Sequence, residues 1–219
     1  MTGSEERPRA PGQLEVVRQF INTADLDPGK EELVDLDALA SWLRQHGLIA
    51  ARDRLDAGDL ERALSVREGL RTLLETRASG ALEAAAAPRA LNDLLSGTLL
   101  RVAFEPDGTP VLAPAAPSPL DGALAQLLAI VVRAAGDGSW SRLKVCADHG
   151  CLWAFYDQSK NRSRSWCNMA VCGNRAKGRE YRRRQRSERA PAVERTPAVE
   201  RAPAVNAQTR LKKPEAQAD

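Results

Sequence analysis

A chain of 219 residues is long enough for one or two domains, and a hydrophobic content of 43% with aromatics at only 4% implies a core built mostly of Leu, Ala and Val, which suits packed helices. The net charge of +3 hides an asymmetry: residues 1–141 carry 14 Lys+Arg against 21 Asp+Glu, a net of −7, while residues 142–189 carry 13 against 4, a net of +9. Polyanion binding is thus excluded as a property of the whole chain and expected of its short basic stretch alone.

The polar N-terminus lacks the apolar run of a secretory signal, and no uninterrupted apolar run approaches the roughly 20 residues that a membrane span needs. A reducing cytoplasm is the expected compartment, with no membrane partner.

In chain order, residues 1–12 are polar, contain prolines and are expected to be disordered. Leu14, Val17, Phe20 and Ile21 recur at helical spacing and predict a helix over 14–22. Asp25, Asp27, Pro28 and Gly29 form a turn. Asp35 or Asp37 can cap the next helix, whose apolar face is Leu36, Leu39, Ala40 and Leu43 and which Gly47 stops. Trp42 reads as core. The longest periodic segment is 57–78, with Asp59 as N-cap and Leu60, Leu64, Arg67, Leu70, Leu73 and Leu74 following a 3.6-residue period. Residues 81–95 read as a helix broken by Pro88. Residues 99–104 and 110–112 flank Glu105-Pro106-Asp107-Gly108, a hairpin signal. Asp121 then caps an almost wholly apolar helix over 124–135, which should be buried. After Arg186, ERAPAV, ERTPAV and ERAPAV follow one another, and a proline in each copy predicts an extended, disordered tail over 188–219.

All four cysteines lie in one stretch, as Cys146-x4-Cys151 and Cys167-x4-Cys172 with fifteen residues between. Two short knuckles of thiolates around a loop suit one tetrahedral Zn²⁺, and four ligands leave no open position, so the metal would be structural. Such a small module needs a metal to supply the stability its own core cannot. His149 could replace one cysteine; two disulfides or four free thiols are the alternatives, which a reducing compartment disfavours.

A helix is expected from Arg175 onward, after a turn at Gly173-Asn174. Arg175, Arg179, Arg182 and Arg186 fall on one face, with Lys177 and Arg183 beside them. Lys160, Arg162 and Arg164 add charge from the loop, and Trp166 and Tyr181 add stacking surfaces. Guanidinium groups bind phosphate bidentately and can read guanine edges, so these nine cations are the candidate nucleic-acid contacts. The plainer reading is a solvated, charged helix end.

Cys172-Gly173-Asn174-Arg175-Ala176-Lys177 resembles the signature of the CGNR zinc-finger family. Phe155, Asp157, Ser159 and Asn161, then Arg164, Trp166 and Cys167, stand where that family's F-x-D-x-S-x-N and R-x-W-C elements fall; where many relatives have a second arginine before the tryptophan, this chain has Ser165. The resemblance implies zinc ligands at Cys146, Cys151, Cys167 and Cys172 and a DNA-binding role. The family usually carries an N-terminal helical domain, ABATE, and is described as regulating transcription under stress. Phe20-Ile21-Asn22-Thr23, Ser41-Trp42-Leu43, Arg67 and Leu91-Asn92 are similar to elements of that domain.

In the body, Asn22, Arg67 and Asn92 sit among apolar residues. Either they satisfy one another or cap helix ends, or Arg67 anchors a small anionic ligand with Asn22 and Asn92 assisting. No Gly-rich phosphate loop, Gly-x-Ser-x-Gly elbow or His-Glu-x-x-His motif is present, and an enzyme is not expected.

The expected fold is mainly α (α+β). A helical ABATE-like domain with a hairpin spans 13–139, for sensing or dimerisation, and a zinc finger with a basic C-terminal helix spans 140–187. The expected function is DNA-binding transcription regulation in the cytoplasm, at the nucleoid, with a homodimer as one arrangement. An RNA-binding or protein-docking zinc module is the alternative, followed by an enzyme housed in the body.

Overall fold

The structure is a computed structural model that describes residues 8–79, 86–115 and 118–189. The expected disorder of the tail, and the stretch just before Pro88, fall largely outside those residues. Residues 8–12, expected to be disordered, are placed. The Ala10 N–H donates to Glu15 at 2.7 Å and Ala10 itself is buried, so the chain is tied down before the first helix.

Helix α1 (Leu14–Ile21) buries Leu14, Val17, Phe20 and Ile21, as its spacing predicts. The turn that follows is closed by a minimal hairpin of β1 (Ala24–Asp25) and β2 (Lys30–Glu31), with Gly29 in the left-handed region at φ +69°. Helix α2 (Leu36–Gln45) is capped by Asp35, whose carboxylate accepts from the Ala38 N–H at 2.8 Å. It ends at Gly47, φ +68°, with Leu48 N–H donating to Leu43 O and Gly47 N–H to Arg44 O, the paired bonds that glycine permits after a helix.

Helix α3 (Asp59–Ser79) runs through the centre and touches α1, α2, α4 and a strand of the cysteine region. Asp59 is its first helical residue and not the cap: the carboxylate accepts from the Asp56 N–H at 2.7 Å. Helix α4 (Ala86–Leu94) contains Pro88; the helical residues expected before Ala86 lie outside the described residues. Gly69 lets α4 close on α3, since a Cβ there would lie 2.9 Å from Leu91 Cδ1.

Strands β3 (Leu100–Phe104) and β4 (Pro110–Pro114) form the expected hairpin, with Leu100 opposite Pro114 and Phe104 opposite Pro110. Helix α5 (Pro119–Gly136) begins before the apolar run. Its cap is Ser118, not Asp121: the Ser118 Oγ accepts from the Asp121 N–H and donates to the Asp121 carboxylate, and Pro119 takes the first helical position. Asp121 is left to pair with Arg62 at 2.5 Å. By length and composition alone α5 could cross a membrane. Here Leu120, Ala123, Leu124 and Leu127 are buried in the core, while Val132 is exposed.

Strands β5 (Leu143–Val145) and β6 (Ala154–Tyr156) then pair antiparallel. Neither is expected from the sequence pattern. Leu143, Val145 and Ala154 belong to the same buried cluster as Phe20, Leu43, Leu70 and Leu124. Residues up to Tyr181 fall in one compact unit. A single-turn π-type segment, Met169–Gly173, leads into α6 (Asn174–Arg189), whose last residues, from Arg182, belong to a second unit.

Candidate metal centre and basic helix

A second, smaller buried cluster consists of the four cysteines and Phe155, flanked by Trp153 and Trp166. Strand β5 delivers Cys146 directly. The chain then turns tightly, with Cys151 and Leu152 N–H groups both donating to Asp148 O and Leu152 left-handed at φ +45°. Cys167 arrives from the loop, and Cys172 lies in the π-type segment.

All four sulfurs lie within 4.8 Å of one another. Cys151 and Cys167 are 3.7 Å apart, and Cys167 and Cys172 3.8 Å. A zinc ion with sulfurs at about 2.3 Å spaces them by about 3.8 Å, whereas a disulfide requires about 2.05 Å. The spacing fits one tetrahedral ion and not two disulfides.

The surroundings favour thiolates. Backbone N–H groups of Asp148 and Cys167 face the Cys146 sulfur, that of Trp153 faces Cys151, and the Arg175 guanidinium lies 3.4 Å from Cys172 Sγ. Hydrogen bonds from the Cys151 and Cys167 thiols pull Cys146 down to about 2, and the same crowding pushes Cys167 up. Four packed thiols cannot all ionise unaided, and a dication resolves that conflict. His149 is no ligand: its side chain is 89% exposed, 3.2 Å from Glu75. The centre therefore holds one structural zinc through Cys146, Cys151, Cys167 and Cys172.

The motif residues build the scaffold of this centre. Phe155 is fully buried among the cysteines. Asp157 accepts from Lys144 Nζ (2.7 Å), from the Ser159 hydroxyl (2.6 Å) and N–H (2.9 Å), and from the Arg164 N–H (3.0 Å). Arg164 donates to the carbonyls of Trp166 and Cys167. Asn174 donates to Ala170 O.

Matches to known families follow the same division of the chain. The profile of the ABATE family, described as "Putative stress-induced transcription regulator", matches residues 14–137, and that of the CGNR zinc finger matches residues 142–185. The chain belongs to the ABATE family. Its C-terminal part is a CGNR zinc finger. No curated protein matches the chain.

The nine candidate nucleic-acid contacts of the CGNR finger divide into two groups. Arg175 and Arg179, expected to lead the DNA-facing row, are paired with carboxylates of the same chain, although the Arg179 side chain stays 50% exposed. Arg175 makes a bidentate pair with Asp27 (2.7 and 2.9 Å), and its Nε lies 3.1 Å from buried Asp148. Arg179 pairs with the same Asp148 at 3.1 Å. Arg164 is spent on the carbonyls just named. Asp148 within the first knuckle thus captures the first two arginines of the row and fixes the start of α6. Lys160, Arg162, Lys177, Arg182, Arg183 and Arg186 are exposed. Tyr181 is 66% exposed and Trp166 half-buried.

The three polar residues singled out in the ABATE region have different surroundings. Arg67 pairs bidentately with Glu31 (2.7 and 2.8 Å) and donates to Glu68 and Thr23. Burial alone would raise the Glu31 carboxyl, but Arg67 outweighs it and holds it below its usual range. Asn92 is exposed. Asn22 serves the finger instead, because its amide donates to Ala154 O and accepts from the Ala154 N–H, both at 2.8 Å. One side chain of the ABATE region thereby acts as a strand partner for β6. A described cavity of about 340 Å³ lies elsewhere, between α1, β4 and α5, where Gln13, Leu112, Gln126 and Arg133 line it.

Two residues that periodicity could not flag complete the seam. Arg71 donates to Ile21 O (2.6 Å), Ala24 O (3.2 Å) and Leu152 O (3.2 Å), joining α1 to the first knuckle. Arg77 donates to the carbonyls of Trp140 and Leu143 and stacks on the Trp140 ring. A buried arginine on a helix four residues from another was the available signal.

Proposed function

We propose that the chain is a DNA-binding transcription regulator, and not an enzyme, that grips duplex DNA with the exposed cations of α6 and of the finger loop. One observation carries the reading. The zinc centre and Asp148 fix the first turn of α6 through Cys172, Arg175 and Arg179, and beyond that turn the helix presents Lys177, Arg182, Arg183 and Arg186 to solvent. A helix held rigidly at one end and cationic on its free length is suited to entering a groove. Lys160 and Arg162 add exposed charge in the loop between the knuckles. The proposed contact set is narrower than the row expected from periodicity: Arg164 braces the loop at Trp166 and Cys167, and Arg175 and Arg179 hold the start of the helix. The family's description, "Putative stress-induced transcription regulator", supports action in response to stress, and a DNA-binding regulator of this kind would act in the cytoplasm, at the nucleoid.

Selection of bound sites from random DNA with zinc-loaded full-length protein tests this. With about six phosphate contacts the log–log salt slope should be near −5 on duplex DNA. Lys177→Ala and Arg182→Ala should each flatten that slope by about one while leaving the fold intact. Unchanged affinity in both overturns the assignment. Preference for single-stranded RNA, lost with Tyr181→Ala, would favour the RNA-binding reading.

A further inference from the structure

The hairpin β3–β4 has one edge closed and one edge open. The Ala115 N–H donates to Leu99 O and the Glu105 N–H to Thr109 O, both at 2.9 Å. With Leu100 opposite Pro114 and Phe104 opposite Pro110, antiparallel alternation makes Arg101 and Ala103 the residues that bond β4. The N–H and C=O groups of Leu100, Val102 and Phe104 then point away from the hairpin. The matching outward positions on β4 are Pro110, Leu112 and Pro114. Two of the three have no N–H to offer, which blunts that edge, and β4 packs on α5 besides.

Nothing blunts β3. Its outward residues are all apolar, and they share one face of the hairpin with Pro110, Leu112 and Pro114. Val102 is 64% and Phe104 72% exposed, and Leu99 is exposed next to them. An apolar strand with a free row of donors and acceptors is a template for another strand.

We propose that this edge is a homodimer interface, in which β3 pairs antiparallel with β3 of a second copy. Two identical strands related by a two-fold axis are necessarily antiparallel, and this strand is self-complementary. With Ala103 facing its own copy, Arg101 lies opposite Glu105 of the partner subunit, and the pair recurs at the other end. Neither residue has an ion-pair partner within the chain among the described residues. In the same register Val102 lies opposite Phe104 of the partner subunit. These are the outward-facing positions, so both can exchange a full pair of backbone hydrogen bonds. The result is a four-stranded sheet with one continuous apolar face. The interface is independent of whether α6 binds nucleic acid.

Light scattering and sedimentation across a concentration series test it on the full chain. The dimer should have twice the chain mass of 23.8 kDa. Arg101→Glu and Glu105→Arg each set like charges opposite one another at both ends and should weaken the dimer roughly tenfold. The double variant R101E/E105R should restore it. Val102→Pro removes an N–H that β4 does not use and should give a monomer with unchanged helix content. A chain that stays monomeric at every concentration, or a dimer that both single reversals leave intact, overturns the proposal.

Discussion

Two buried clusters hold the chain, and they are built on different principles. The larger is aliphatic, from α1 through β6, and is held by the area its side chains remove from water. The smaller has four cysteines and one phenylalanine, too little area to fold on, and depends on a cation. They nevertheless share a strand. Strand β5 contributes Leu143 and Val145 to the first cluster and is followed at once by Cys146 of the second. Charge is handled alike in both regions: arginines that look available from the sequence, Arg67 in one and Arg175 in the other, are held by carboxylates of the same chain.

Removing the metal attacks the comparison most directly. Structural zinc contributes roughly 10–16 kcal/mol near neutral pH, so a strong chelator should release the four cysteines and change the fluorescence of Trp153 and Trp166. Helices α1–α5 should persist, but their melting temperature should fall, because β5 and β6 are shared. An unchanged melting temperature would mean that the two clusters are energetically independent.

Asn22→Ala cuts the seam without touching a ligand. It leaves the buried Ala154 N–H unpaired and its C=O with only the Arg18 guanidinium at 3.4 Å, at a cost of about 1–3 kcal/mol. The denaturation midpoint should shift by that amount and zinc affinity should weaken with it. Metal competition that reads the same as wild type would mean that the seam does not couple the clusters.

Acid should sharpen the contrast from the other side. Burial would raise the Asp157 carboxyl, but Lys144 and Ser159 outweigh it and hold it at about 2, against an ordinary 3.8. Because the folded value lies below the unfolded one, its contribution is complete above pH ~5 and is lost as the pH falls towards 2, about 2 kcal/mol in all. Asp157→Asn should flatten that part of the stability curve, measured by denaturation at successive pH values.

The smallest expected effect is at Asp27→Asn. Its pair with Arg175 is partly exposed, so stability should change by less than about 1 kcal/mol. DNA affinity at low salt should rise if the freed guanidinium joins the cations of α6, and titration by fluorescence anisotropy reads it.

The zinc centre was legible in the sequence because ligand chemistry is local: type and spacing of four cysteines suffice. So were α1, α2, the hairpin β3–β4 and the start of α6, where periodicity and turn residues agree. Ser118-Pro119 carried the true signal for the start of α5, which Asp121 obscured by lying nearer the apolar run. The seam was not legible. Strands of three residues are too short to show alternation, and Asn22 meets Ala154 across 132 positions. Arg67 drew attention for a sound reason, a charge among apolar residues, but its partner Glu31 lies in a two-residue strand that no pattern reveals.

The amide of Asn22 also limits how this architecture can be rearranged. A finger whose last strand is completed by a side chain from the end of the first helix cannot be moved alone. Grafted onto another protein, residues 142–189 would expose the Ala154 N–H and C=O and the apolar back of β5. A chimaera would have to import α1 with them, so the unit that can be transplanted is discontinuous, beginning at the first helix and resuming some 120 residues later.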